Sequence, residues 1–68
     1  MTRYSAHREA HRRWGTADRY GFVVIRRKTV VDRFEVGYHE TRGAANAVIV
    51  GRGTSWEEAF ARADRTAP

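Results

Sequence analysis

The sequence predicts an α+β fold: a three-stranded antiparallel sheet with a C-terminal helix packed on one face and a short N-terminal helix, in the order αβββα. Three observations carry this prediction. A β-prone run, Phe22-Val23-Val24-Ile25, is followed by an alternating stretch in which Val30, Phe34, Val36 and Tyr38 share one face. Near the C-terminus, Trp56, Ala59, Phe60 and Ala63 fall at i, i+3, i+4 and i+7, the spacing of one apolar helix stripe. A chain of 68 residues also allows a single small domain, 1–68, and no second core.

Taken in order, residues 1–4 are expected to fray. Residues 5–14 are rich in helix formers, Ala6, Ala10 and Trp14 share one stripe, and Ser5 is placed to cap the helix. That stripe is thin, so the helix depends on docking. Gly15 to Asp18 form its exit loop. The sheet is expected over 20–50, with a first strand from Tyr20 to Arg27 and a second from Thr29 to His39. If Lys28-Thr29 is a two-residue loop, Ile25 faces Asp32 and Val23 faces Phe34. Val23, Ile25, Phe34 and Val36 then share the buried face, while Tyr20, Phe22, Val24, Arg26, Val31, Arg33 and Glu35 share the other. A slip of one residue would exchange the faces of one strand. Alternatively, the N-terminal helix covers the second face through Trp14. Glu40-Thr41-Arg42-Gly43 reads as a turn in which Gly43 is free to take positive φ. Ala45 to Val50 give the third strand, ended by Gly51-Arg52-Gly53. The helix over 54–66 is capped by Thr54 or Ser55, since Thr54-x-x-Glu57 and Ser55-x-x-Glu58 are both capping-box patterns. Glu58 and Arg62 form an i,i+4 pair on its outer side. Trp56 and Phe60 should anchor it against Phe34, Val36 and Ile49.

Composition narrows the function. There is no cysteine, which excludes a disulfide, a thiolate nucleophile and Cys-ligated zinc. No apolar stretch approaches the ~18 residues of a membrane span, and Met1 to Trp14 are too charged for a signal peptide. A cytoplasmic location is the expectation. Lysine plus arginine total 13 and aspartate plus glutamate 8, a formal net charge of +5. The charge is uneven along the chain. Residues 1–34 hold nine basic groups against three acids, and residues 35–68 hold four against five. A basic half points to phosphates, or to an acidic protein surface.

Other chemistry is less well supported by the residues. His7 and His11 stand at i,i+4, with His39 or Glu9 as a third ligand, but nothing fixes that geometry. No metal or cofactor is expected. Gly51-x-Gly53 has neither the third glycine nor the Gly-Lys-Ser/Thr of a phosphate loop. Ser5, Ser55, the histidines and the acids form no catalytic motif, and so short a chain has little room for a desolvated pocket. A non-enzymatic role is expected.

The stretch from Thr54 to Ala67, with Glu57-Glu58-Ala59 after the cap, resembles the helix of the Apetala-type plant DNA-binding domain, whose relatives include the arm-binding domains of tyrosine recombinases. The resemblance implies that three antiparallel strands enter the major groove while the helix braces them from behind. It also implies that Arg26, Arg27, Lys28 and Arg33 on the first hairpin meet DNA. Tyr20-Gly21 only loosely echoes the family's glycine-arginine pattern, and the second strand lacks its tryptophan. The element order is similar to that of double-stranded-RNA-binding domains as well. Where that family carries lysines, however, this chain has Trp56, Glu57 and Phe60.

The expected function is therefore a small basic module that binds nucleic acid, most readily duplex DNA. Its contacts would come from Arg26, Arg27, Lys28 and Arg33, with Tyr20 and Phe22 beside them and Arg12, Arg13 and Arg19 adding electrostatic attraction. The alternative is a phage- or mobile-element-encoded inhibitor, in the manner of anti-CRISPR proteins, that uses the same surface against a host protein complex.

Overall fold

Each element of the sheet and both helices form where local chemistry favours them. The computed structural model describes residues 1–27, 31–40 and 47–66. Helix α1 spans Arg3–Trp14 and starts earlier than residue 5. Thr2 is its N-cap: the Ser5 N–H donates to Thr2 Oγ1 at 3.1 Å, and the Thr2 N–H donates to Ser5 Oγ at 2.9 Å. Ser5 therefore occupies the third helical position of a capping box instead of capping the helix itself. The helix thus begins within the segment expected to fray, and the Met1 amine lies 3.0 Å from the Glu57 carboxylate.

Strands β1 (Arg19–Arg26), β2 (Arg33–Glu40) and β3 (Ala47–Gly53) form an antiparallel sheet in the order β1-β2-β3. Between β1 and β2, Ile25 pairs with Phe34 and Val23 with Val36. The expected register was Ile25 with Asp32, so the pairing is shifted by two residues. An even shift keeps every side chain on its expected face. It also keeps a carboxylate out of the apolar row, because Phe34 takes the position Asp32 would have held. β2 consequently starts at Arg33, and Val31 and Asp32 precede it and belong to no strand face. Lys28, Thr29 and Val30 lie outside the described residues, as do the expected turn at Thr41-Arg42-Gly43 and the expected strand start at Ala45.

Helix α2 (Trp56–Thr66) is capped by Ser55, whose Oγ accepts the Glu58 N–H at 3.1 Å. Glu58 reaches back to the Thr54 N–H at 2.9 Å. The Thr54–Glu57 box does not form, since Glu57 turns toward the Met1 amine.

Gly51-Arg52-Gly53 continues β3 instead of ending it. The reason is contact with α2. A Cβ on Gly51 would collide with the Ala59 carbonyl oxygen and stand 2.9 Å from the Ala63 nitrogen. Helix α1 makes the same kind of approach at Gly21, where a Cβ would collide with the Ala10 carbonyl group. Both helices thus lie on one face of the sheet. Their small residues Ala6, Ala10, Ala59 and Ala63 form the core with Val23, Val36, Trp56 and Phe60. Trp14 stacks on Phe60 at 6.0 Å between ring centroids, and Trp56 meets Phe34 edge-on at 4.6 Å. Trp14 is therefore committed to the helix side and covers neither Tyr20 nor Phe22.

A β-bulge interrupts the β2–β3 pairing: Val36 pairs with Gly51, but Gly37 pairs with Ile49. Val50 is the extra residue and packs against the core. Ile49 is turned to the far face, so it does not receive α2 as expected; Val50 takes that place.

Gly51→Ala should destabilise the fold by about 1–3 kcal/mol, because backbone stands where the methyl group would go. Gly21→Ala should behave alike. Urea unfolding followed by circular dichroism measures both, and a midpoint equal to wild type would show that α2 can move away at no cost.

Candidate nucleic-acid interface

The face of the sheet opposite the helices carries four cross-strand rows. They are Tyr20–His39–Ala47, Phe22–Gly37–Ile49, Val24–Glu35–Arg52 and Arg26–Arg33. Among the described residues, no helix covers them. Tyr20 is 42% exposed, and its ring meets His39 edge-on at 4.0 Å. Phe22 also lies edge-on to His39, at 6.2 Å. Gly37 is buried at the centre of this face between half-buried Phe22 and Ile49, and a Cβ there would collide with the Val48 carbonyl.

The charged end of this face is organised by Glu35. It is only 6% exposed although it stands on the solvent side. The Nε groups of Arg26 and Arg52 each donate to it at 3.0 Å, one to each carboxylate oxygen. Burial pushes the Glu35 carboxyl up, but these two bonds outweigh burial and hold it below the usual carboxylate range. Arg33 pairs directly with Arg26 across the strands, and like charges in that position repel. Arg26 is relieved by Glu35. Arg33 makes no ion pair among the described residues. Three guanidiniums against one carboxylate leave this end of the face at +2.

The remaining arginines expected at the interface sit elsewhere. Arg13 bridges α1 to α2, donating to Glu9 at 2.6 Å and to Asp64 at 2.5 Å, with its guanidinium 4.8 Å from the centre of the Phe60 ring. It clasps the two helices together. Arg19 lies on the helix side of the sheet, paired with Glu40 at 3.1 Å and stacked on Tyr38. Arg12 binds Glu9 on α1, away from the charged end. Arg27 faces Asp32 across the hairpin loop at 3.7 Å, and Lys28 is outside the described residues. The hairpin therefore supplies Arg26 and Arg33 to the open face, beside Tyr20 and Phe22.

Arg52 was missed by sequence reasoning because Gly-Arg-Gly reads as a turn. The signal was available in the alternation: Gly51 faces Ala59 and Ala63, Gly53 faces Glu58, and an arginine stands between them. The basic N-terminal half also does not become a basic side of the molecule. Arg13–Asp64, Arg19–Glu40 and Arg26–Glu35 each join an arginine of the first half to an acid of the second.

His7 and His11 are exposed on α1, while His39 lies on the open sheet face and Glu9 is engaged by two arginines. Among the described residues, no three potential ligands gather around a common point. Among the described residues, no helix is long and apolar enough to cross a membrane. No family model matches the chain, and no curated protein or solved structure is detectably similar to it.

The hydrogen bonds from Arg12 and Arg13 hold Glu9 down from 4.5 to about 2. A carboxylate with a depressed folded-state pKa stabilises the fold above its unfolded value, and that contribution is lost as pH falls through the folded value. Stability should therefore decline between pH 4.5 and about 2, with a shallower decline in Glu9→Gln. Thermal melts across this window test the sign; parallel profiles for the two proteins would rule out Glu9 as the source.

Proposed function

We propose that this chain is a small, non-enzymatic nucleic-acid-binding module that takes duplex DNA on its open sheet face. The observation that carries the reading is the +2 cluster of Arg26, Arg33 and Arg52 around Glu35, set beside Tyr20, Phe22 and His39 on a face no helix covers. Guanidiniums provide forked donors for phosphate or guanine, and the β1–β2 ribbon is of a width the major groove admits. Helix α2 lies behind the sheet, the side on which the Apetala-type resemblance implies a bracing helix, and α1 lies on that side as well. A cytoplasmic location goes with this reading.

Charge pairing refines which residues should matter. Among the described residues, Arg12, Arg13, Arg19, Arg26, Arg27, Arg52 and Arg62 all face carboxylates. An approaching phosphate meets each simple pair as a dipole, so those arginines add little attraction at a distance. Arg33 and the Arg26–Glu35–Arg52 cluster, with two guanidiniums per carboxylate, retain net charge. They should dominate.

A second reading draws on the half-buried apolar strip of Phe22, Val24 and Ile49, which suits a protein partner of the inhibitor kind. Salt dependence separates the two. Nucleic-acid binding through two or three phosphates should show a log–log salt slope of about −2 to −3. Fluorescence anisotropy with a duplex at about 50 and about 200 mM salt reads this slope.

Arg33→Ala should reduce the slope by about 1 and weaken binding at low salt. Glu35→Gln should lose about 1 kcal/mol of stability, a modest value because both guanidiniums are half in water. In the same variant, duplex binding should tighten as the face gains a charge. Absence of duplex binding at low salt would overturn the DNA reading, and unchanged affinity in both variants would remove the face from it.

A further inference from the structure

We propose that the groove between α1 and Tyr20 binds a single nucleotide unit, a planar base joined to a phosphate. The groove is lined by His7, Arg8, His11, Arg12 and Tyr20. His7 and His11 are one helical turn apart, and so are Arg8 and Arg12. Two imidazoles and two guanidiniums therefore stand as parallel pairs above the tyrosine, and no carboxylate lines the groove.

Each half of a nucleotide has a matching group. Arg8 stacks on Tyr4 and has no carboxylate partner among the described residues. Arg12 spends Nε and Nη2 on Glu9, which leaves Nη1 for a ligand. Together they provide donors for a phosphate. Tyr20, still 42% exposed after its contact with His39, and the two exposed imidazoles provide ring surface for a base. The chief competitor is a transition metal held by the two histidines. Arg8 and Arg12 repel a cation there, and the groove has no third histidine or carboxylate.

Tyr20 belongs to the open sheet face as well as to the groove. A strand end leaving that face would reach the groove without crossing any other element. The ligand class rests on the nucleic-acid reading, and the same chemistry would also accept a free mononucleotide.

The test is an NMR titration of the full chain that follows the ring protons of His7, His11 and Tyr20. The probes are 5′-dAMP, adenosine, inorganic phosphate, a blunt duplex and the same duplex with a single-stranded 5′-phosphorylated overhang. The expected result is a saturable shift of all three rings with 5′-dAMP that neither adenosine nor phosphate reproduces. The overhang duplex should also bind about tenfold more tightly than the blunt one, the worth of one stacked base. His7→Ala/His11→Ala, which keeps the helix in good helix formers, should erase that tenfold preference, and Arg8→Ala should weaken 5′-dAMP binding.

Duplex binding with silent groove rings would overturn the groove while leaving the sheet-face reading intact. Groove shifts with 5′-dAMP but no duplex binding would keep the groove as a mononucleotide site and end the sheet-face reading. An overhang preference that survives in the double-histidine variant would assign the extra affinity elsewhere. Silence toward every probe would remove both.

Discussion

The architecture depends on two close backbone approaches, α1 over Gly21 and α2 over Gly51. At both points a missing Cβ lets a helix settle directly on a strand, and alanines on the helices keep the approach close. This is how a short chain closes a core from few large side chains, chiefly Val23, Val36, Trp56 and Phe60. It also places both helices on the same side. The arrangement has one layer of helices and one of strands, so the far side of the sheet is left to solvent. The open face is a consequence of how the core is sealed, and its residues are free to serve something other than folding.

Electrostatics are shaped by the same closure. The chain's excess of positive charge lies in its first half, yet folding brings acids of the second half against three of those arginines. Each exposed pair is worth only about 0–1 kcal/mol to stability. Its effect on the external field is larger, because a bare cation becomes a local dipole. Glu35, like Glu9, serves two arginines at once, but among the described residues neither Arg26 nor Arg52 has a second carboxylate as Arg13 has in Asp64, so the site Glu35 organises stays cationic. A pairing between elements distant in sequence decides where attraction persists, and linear charge counts do not contain that information.

Much of the fold was legible because hydrophobic periodicity is local. The i, i+3, i+4, i+7 stripe of α2 and the alternation of Phe34, Val36 and Tyr38 each need only a short window. The faces of β1 and β2 were also legible, and they survived an error in register because the error was even. Three features were hidden for a common reason. The Thr2 cap looked like a loose terminus, Gly51-Arg52-Gly53 looked like a turn, and the bulge at Val50 left no mark in the pattern. Each leans on another element: the Met1–Glu57 pair with α2 backs the local Thr2–Ser5 box in the first, α2 residues Ala59, Ala63 and Glu58 fix the second, and the β2 partner fixes the third. For the interface, Arg26, Arg33, Tyr20 and Phe22 follow from strand parity. The placement of Arg52 on the open face needed the tertiary contact, and the pairing of Arg13 and Arg19 with carboxylates is visible only in the folded chain.

The bulge gives β3 two separate obligations. Beyond it, Gly51 and Gly53 answer to the helix above; before it, Ile49 answers to whatever lies below. A single extra residue thus uncouples the halves of one ribbon, much as a swivel uncouples two lengths of line. Variation at Ile49 can reshape the underside without disturbing the packing of α2. A deletion at Val50 would restore strict alternation with Ile49 still outward and Gly51 still inward, and would join the two halves in one unbroken ladder.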